Sequence, residues 1–360
     1  MNELKNTYSG KRVFVTGHTG FKGAWFIKIL SDFGSVLRGY ALAPESEINL
    51  YTEINGDGLC ESVISDLRDR DALKKAVLDF QPDFIFHLAA QPLVRLSYEI
   101  PSETFEVNAI GTANLLDAIR LLDKKCNVVL ITTDKVYQNK EWEHPYKESD
   151  RLGGYDPYSA SNACCELVID SYKNSFFNVD KYDQHKKAIA VGRAGNVIGG
   201  GDWSKDRLIP DIVKALYDNK EVVIRNPKAI RPWQHVIEPL FGYLELGIKL
   251  NIDPKKYGQA YNFGPNATDA LSVEEMVKRS IENWGLGSYQ PLVDSNSPHE
   301  AGLLKLDISK ALNELNWRPV FNAQTAVERT INWYKSYYNC INAMELMQLD
   351  IEYYQSINNE

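Results

Sequence analysis

Arg12-Val13-Phe14-Val15-Thr16-Gly17-His18-Thr19-Gly20-Phe21-Lys22-Gly23 is the stretch from which the rest of the chain is read. Val13 to Val15 is an apolar run of β-forming residues, and glycines succeed it at the spacing Gly17-x-x-Gly20-x-x-Gly23. A helical pattern then runs from Ala24 to Phe33. Strand, glycine turn and helix in this order suit a dinucleotide. One glycine permits the turn, the next leaves the backbone bare for a pyrophosphate, and the third lets helix and strand pack closely. The helix N-terminus faces the phosphates. Three glycines also suit an ordinary strand-turn-helix, so the weight falls on the residues beyond Phe33.

From Val13 to about Arg193 strand and helix patterns alternate, which predicts an α/β, doubly wound parallel sheet of Rossmann type over residues 1–193. Residues 194–360 read as a smaller substrate-binding lobe from which strands can return to the large domain. Ser35 to Tyr40 reads as the second strand. Its end carries no acid for a ribose until Glu45, and Arg38 is close by, so the phosphorylation state of the cofactor stays open. Cys60 to Asp66 reads as the third strand. Asp66 suits an adenine amino group, and Asp66 or Asp69 suits the cap of a helix Ala72 to Phe80. Asp83 to Leu88 runs into Ala89, Ala90 and Gln91, small residues beside which a flat cofactor can lie. Asn108 falls in the next helix, where a buried amide needs partners and can brace the site. Val128 to Thr133 ends in Thr132-Thr133-Asp134-Lys135-Val136-Tyr137, polar chemistry at the carboxyl end of a central strand. Gly153-Gly154-Tyr155-Asp156-Pro157-Tyr158-Ser159-Ala160-Ser161-Asn162 then leads into a helix Ala163 to Tyr172.

The chain has 360 residues and a net charge of −8, which argues against nucleic acid as a partner. No apolar run approaches the length of a membrane span, and Met1 to Gly10 is polar, so a cytoplasmic protein is expected. Cys60, Cys126, Cys164, Cys165 and Cys340 show no metal-ligand spacing, and neither a metal nor a disulfide framework is expected. Gly199-Gly200-Gly201-Asp202 reads as a flexible hinge. Leu271 to Trp284 and Val327 to Tyr338 read as amphipathic helices, and Glu345 to Glu360 as a polar, partly ordered tail.

The glycine turn, Asp66-Leu67-Arg68, His87 to Gln91, Thr133-Asp134-Lys135 and Tyr158 stand in the order found in extended short-chain dehydrogenase/reductases that act on nucleotide sugars, and the chain resembles that family. Its finer similarity is to the CDP-glucose 4,6-dehydratase family. That similarity is carried by Thr16 to Gly23, Ala90 to Tyr98, Arg193 to Trp203, Asp206 to Asp211 and Ile230 to Val236, and it spans about Lys11 to Tyr334. It implies a bound NAD held by Gly17, Thr19, Gly20, Phe21, Gly23, Asp66, Leu67, Ala89, Ala90, Gln91, Asn108, Thr132 and Tyr158. It implies Tyr158 as the base at the sugar 4-hydroxyl and Thr133 on the C4 oxygen. Asp134 is then the acid for the leaving 6-hydroxyl and Lys135 the base at C5, where related enzymes carry a glutamate. Arg207, Arg231 and Asn196 are implied at the diphosphate, with Tyr289, His299 and Glu300 at the nucleotide. Trp233 and Phe263 suit stacking or the core, and His235 suits a structural role. A homodimer or homotetramer is implied, with the helix Ala163 to Tyr172 at the dimer face. So is a place in deoxysugar synthesis for surface polysaccharide such as lipopolysaccharide.

An acid beside a base is what an elimination requires. A lysine base must be neutral, which from a pKa of about 10.4 needs burial or a cationic neighbour. One position departs from the family pattern. The tyrosine is followed four residues on by lysine in the family, and here by Asn162. With a phenol pKa of about 10, the phenolate fraction at neutral pH is about one in a thousand, a cost of roughly 4 kcal/mol without compensation. An engineered substitution, a slow natural homologue that still binds, and replacement by another cation such as Lys135 all remain open. A nucleotide-sugar 4-epimerase is the rival activity; it needs the tyrosine but not the Asp134-Lys135 pair.

Overall fold

The computed structural model describes residues 2–224, 226–266, 269–291 and 303–358. Its centre is a seven-stranded sheet of β1 (Arg12–Thr16), β2 (Val36–Ala41), β3 (Glu61–Ile64), β4 (Phe84–His87), β5 (Cys126–Thr133), β6 (Lys187–Ala194) and β7 (Ala260–Phe263). The spatial order is β7-β6-β5-β4-β1-β2-β3, and every pairing is parallel. Side chains alternate between two faces, as the pleat requires. Val13, Val15, Phe84, Phe86, Val129 and Ala190 enter one core, and Phe14, Ile85, Val128, Leu130, Ile189 and Val191 the other. Burial on both faces explains why these strands are continuous apolar runs.

The first core is closed by α1 (Phe21–Asp32), which supplies Trp25, Phe26, Ile29 and Leu30. The second is closed by α2 (Arg70–Phe80), α3 (Gly111–Arg120) and α4 (Pro157–Ser175), through Leu73, Val77, Leu115, Ile119 and Ile169. The order of strands reverses between β1 and β4, where Thr16 lies beside His87. That switch point opens a crevice at the carboxyl ends of the strands, where sheets of this type bind ligands.

The second half of the chain does not form a separate core. Its segment Ala260–Phe263 is β7 and continues the sheet beside β6. Before it, α5 (Leu208–Tyr217) lies in the smaller lobe, and α6 (Ile237–Ile252) packs its buried face into the same core as α1. The lobe also contains three two-stranded pairings: Val197–Ile198 with Gln234–His235, Ile230–Arg231 with Leu271–Ser272, and Val222–Ile224 with Tyr289–Pro291. It ends in α7 (Val273–Trp284), α8 (Ala323–Tyr338) and α9 (Ala343–Asn358).

Two expectations are corrected. Gly199 to Asp202 is not a flexible hinge. Trp25 Nε1 donates to the Gly200 carbonyl at 3.0 Å, and the Tyr334 hydroxyl bonds the backbone of Asp202. A Cβ at Gly200 would fall inside the Trp333 ring, so the glycines here permit close packing rather than motion. The stretch 345–358 is not a loose polar tail either: it belongs to α9, whose Leu346, Met347, Ile351 and Tyr354 are buried, and only one face of it is polar. Other helices start where capping starts them. Asp156 accepts from Ser159 N with Pro157 in the first turn, six residues before Ala163. Asp69, not Asp66, caps α2. Asn322 caps α8, and Ser272 with Glu275 forms a capping box on α7.

Candidate active site

The glycine turn leaves β1 under tight constraint. Gly17 has φ +76°, and a Cβ there would lie 2.8 Å from Ala89 N. A Cβ at Gly23 would lie 2.0 Å from the Gly17 carbonyl oxygen, so this glycine lets α1 approach the turn. Gly20 differs. Its φ of −78° is open to any residue, it is exposed, and the nearest atom to a Cβ would be 3.4 Å away. Nothing within the protein demands glycine at position 20. A side chain there would occupy the space in front of the α1 N-terminus, the place where a pyrophosphate would lie. The residues therefore fit a dinucleotide.

Around this turn Thr19 Oγ1 donates to the Leu42 carbonyl at 2.8 Å, joining the turn to the end of β2. His18 lies over Gly39 and contacts Ser62 Oγ at 2.8 Å; burial holds its pKa down at about 4. Arg38 is engaged with Glu61 at 2.7 Å. Asp66 accepts from Arg68 through both side chain and backbone, and that pairing holds its carboxyl below the usual range. Leu67 is buried against Gly111. Phe21 opens α1 beside Gly199, while Ala89 and Ala90 lie past the end of β4, with Ala90 exposed. Asn108 sits in a π-helical turn, Glu106–Ile110. Its Oδ1 accepts from Gln91 N at 2.7 Å and its Nδ2 donates to Ser161 Oγ at 2.9 Å. It thus ties the loop after β4 to α4.

The residues implied as reacting groups meet where β5 ends against the first turns of α4. Thr133 Oγ1 donates to Asp134 Oδ1 at 2.9 Å and also hydrogen-bonds the Tyr158 hydroxyl. The Lys135 ammonium lies 5.7 Å from the centroid of the Tyr158 ring. Asp134 is only 2% exposed. Burial raises its carboxyl above the usual range, against the opposing pull of Lys135, Thr133, Arg231 and Lys22. Burial pushes the Tyr158 phenol up to about 12, with Thr133 and Arg207 opposing and Asp134 assisting. Asn162 is buried, and its Nδ2 donates to the Tyr158 backbone carbonyl at 3.0 Å, one turn back on the same helix. A carboxyl whose pKa burial raises, beside an amine and a phenol, can both give and take protons on one substrate.

Helix α4 is fixed from below. Thr132 Oγ1 donates to Glu166 Oε1 at 2.8 Å, and Arg193 of β6 grips the same carboxylate through Nε at 2.8 Å. From the side, Ser97 Oγ accepts from Tyr158 N at 3.2 Å. Glu166, Arg193, Ser97, Ser161 and Lys22 were not singled out from sequence. A buried arginine in the apolar strand β6 demands a carboxylate, which was a usable signal. Lys22 stands at a helix N-terminus, where the dipole disfavours a cation. Its charge faces Asp134 and Arg207, and burial with the Arg207 charge lowers its pKa to about 8.

Among the implied substrate residues, Arg207 precedes α5 and meets Asp202 at 3.3 Å. Arg231 acts on Asp134 through its charge. Asn196 is half-buried in the segment after β6, and its carbonyl accepts from Gln234 N. Tyr289 donates to Glu274 Oε1 at 2.6 Å, which ties it to α7. His299 and Glu300 lie outside the described residues. Trp233 and Phe263 are core residues, and His235 is fully buried with its pKa lowered to about 3. Among the described residues no cluster could hold a metal, and no helix is long and apolar enough to cross a membrane.

Comparison with known proteins adds independent information. The profile of the GDP-mannose 4,6 dehydratase family matches residues 14–330. A CDP-glucose 4,6-dehydratase from Salmonella typhimurium is 47% identical over 333 residues, covering 92% of this chain and 93% of that protein. A CDP-paratose 2-epimerase from Salmonella typhi is 23% identical, over 90% of this chain and 99% of its own. Among solved structures, a dTDP-glucose 4,6-dehydratase from Streptomyces venezuelae with NAD and TYD bound superposes with a TM-score of 0.78 at 23% identity, over 92% of this chain and 99% of that one. A Thermus thermophilus UDP-glucose 4-epimerase complexed with NAD gives a TM-score of 0.74 at 23% identity, over 90% of this chain and 99% of that one. The chain belongs to the GDP-mannose 4,6 dehydratase family, within the extended short-chain dehydrogenase/reductases.

Proposed function

We propose that this protein is a hydro-lyase that converts CDP-glucose to CDP-4-keto-6-deoxyglucose, an early step towards the deoxysugars of surface polysaccharide such as lipopolysaccharide. The observation that carries the reading is the Asp134 carboxyl, buried and hydrogen-bonded by Thr133, its pKa raised by burial, next to Lys135 and beside Tyr158. An epimerase has no use for such a pair, because it breaks no bond at C5 or C6. The 47% identity to a CDP-glucose 4,6-dehydratase supports the same reaction.

Gly17, Thr19, Gly20, Phe21, Gly23, Asp66, Leu67, Ala89, Ala90, Gln91, Asn108, Thr132 and Tyr158 would hold NAD, and Gly20 leaves room for its pyrophosphate. When bound, NAD supplies a hydride acceptor and donor within one turnover. Tyr158 takes the proton of the sugar 4-hydroxyl, and Thr133 holds the C4 oxygen. A ketone at C4 acidifies the C5 proton, which Lys135 removes. Asp134 protonates the departing 6-hydroxyl, so water rather than hydroxide leaves. Each positioned proton transfer is worth about 10²–10⁴ in rate. Arg207, Arg231 and Asn196 would receive the diphosphate, a task that suits guanidinium forks.

Asn162 favours a second reading, a homologue that binds CDP-sugar but turns over slowly. Its amide is spent on a backbone carbonyl and adds no charge to the phenol. Incubation of the purified protein with NAD and CDP-glucose, followed by chromatography that resolves the C4 epimers coupled to mass spectrometry, with a binding isotherm for CDP-glucose alongside, separates the readings. Loss of one water supports the dehydratase, an isomer of unchanged mass the epimerase, and binding without conversion the impaired homologue. A cytoplasmic homodimer or homotetramer belongs to the same proposal and is checked by light scattering.

A further inference from the structure

We propose that Arg95 is a positioning residue for substrate binding: its ion pair with Asp206 ties down the lobe loop that carries Arg207, so that the Arg207 guanidinium is held ready for the diphosphate of a sugar nucleotide. The proposal rests on the nucleotide-sugar reading given above and adds to it a residue to which the resemblance assigns no role.

The loop is fixed at both ends and exposed in the middle. At its start Asp202 is buried, with its backbone bonded by the Tyr334 hydroxyl. Trp203 packs among Trp333, Tyr334 and Tyr337. At its end Leu208 begins α5. Between these anchors Lys205 and Asp206 are exposed. Asp206 stands at φ +59°, a left-handed backbone that aspartate and asparagine tolerate better than most residues. Its Oδ1 meets Arg95 Nη1 at 3.5 Å. Arg95 belongs to the short helix Val94–Glu99, which follows β4 in the large half of the molecule. The same helix carries Ser97, whose hydroxyl accepts from Tyr158 N at 3.2 Å. One short helix thus touches the candidate base on one side and the lobe loop on the other.

Arg207 depends on this contact because it is the next residue along. It occupies the N-cap position of α5, and no side chain there bonds the first turn, so helix capping does not hold it. Two ion pairs take the place of a cap. Asp202 meets the Arg207 guanidinium itself at 3.3 Å, and Arg95 holds its neighbour. The Arg207 charge reaches Lys22 on α1 and Tyr158 on α4, which places it towards the crevice. An arginine already held there binds a diphosphate without first ordering the loop, and a contact outside the ligand strengthens binding in this way. The pair is partly exposed on both sides, so its strength is that of a surface ion pair and its effect is a few-fold. The diphosphate is the same in the substrate and in the transition state. Loss of the pair therefore appears in KM and not in kcat.

The test uses full-length protein with NAD bound: the wild type, Arg95→Met, Asp206→Asn and the double variant. Asparagine accepts the left-handed backbone, so Asp206→Asn removes the charge and keeps the turn. One arm measures the CDP-glucose isotherm together with KM and kcat. The other measures the rate of tryptic cleavage after Lys205, within the loop. Each single variant should raise Kd and KM about two- to fivefold with kcat unchanged, and should be cleaved faster after Lys205. The double variant should do no more than either single, as two residues that act through one contact require. An unchanged Kd in Arg95→Met, single effects that multiply in the double variant, or a fall in kcat at constant KM would overturn the proposal. A wild type that binds no CDP-glucose would overturn the function reading, and the cleavage arm then decides by itself. Faster cleavage in both singles, no faster in the double, keeps the loop anchor; equal cleavage in all four proteins removes it.

Discussion

At position 162 an amide stands where the family resemblance implies a lysine, and the surroundings show what a lysine there would meet. Asn162 borders a small cavity lined by His87, Ala89, Ala90, Thr132 and Cys165. His87 beside it stays neutral, its pKa lowered to about 4 by burial, and would not repel a new cation. Asn162→Lys is expected to raise turnover at least about tenfold, the effect of one pKa unit on the phenol. Equal rates for the two proteins would show that charge at position 162 is not limiting. At this scale much of the site was legible, because Thr133, Asp134, Lys135 and Tyr158 announce themselves by residue type. Lys22 was not, because its relevance comes from α1 pointing it at a strand end more than a hundred residues away. Nor could sequence separate Asp66 from Asp69 as the cap of α2, since either short acid can accept from the first turn.

Two elements place the site. Helix α4 is anchored by Glu166, which binds Thr132 and Arg193 in a buried pairing. Glu166→Gln leaves the Arg193 charge uncompensated, and breaking such a pair costs about 3–5 kcal/mol. Thermal unfolding should show a marked loss of stability, and an unchanged midpoint would mean that the pair holds nothing. Within the core, Glu238 of α6 is fully buried and accepts from Val320 N and Phe321 N. Burial pushes its pKa up to about 8. A carboxyl raised in the fold binds its proton there more tightly than in the unfolded chain, where its pKa is about 4.3. Its contribution is therefore present below about pH 4 and is lost as pH climbs to about 8. Glu238→Gln should match the wild type in acid and gain stability over it progressively from about pH 4 to pH 8 in urea melts. A stability difference that does not change with pH would rule out the buried proton. Strands and central helices were readable as elements; their ends were not, because capping by Asp156, Asn322 and Ser272 moved them. The tail misled for a related reason: α9 exposes a polar face, and its apolar residues find their partners only in the folded molecule.

The whole molecule is organised around a sheet that both halves of the chain complete. β7 and α6 come after residue 193, yet one pairs with β6 and the other covers the face that holds Val129 and Ala190. A fragment ending at residue 193 should therefore fail to give a cooperative melt, and a stable folded fragment would make the first half an independent domain. The parallel alternation up to Arg193 was legible from apolar runs and glycine turns. The return of β7 was foreseen only in general terms, since a four-residue strand within a polar stretch has no period of its own. What gives the architecture its purpose is that β1, β4 and β5 end along one edge, with the glycine turn, the Ala89-Ala90 shelf and the Asp134-Lys135 pair side by side. The direct test of that convergence is incubation with NAD and CDP-glucose in deuterium oxide, for the wild type and Asn162→Lys, with mass spectrometry of the sugar nucleotide. The account predicts a product that has lost one water and gained one solvent deuteron at C5, formed faster by the lysine variant. Recovery of CDP-glucose or its C4 epimer, undeuterated at C5, from both proteins would contradict it.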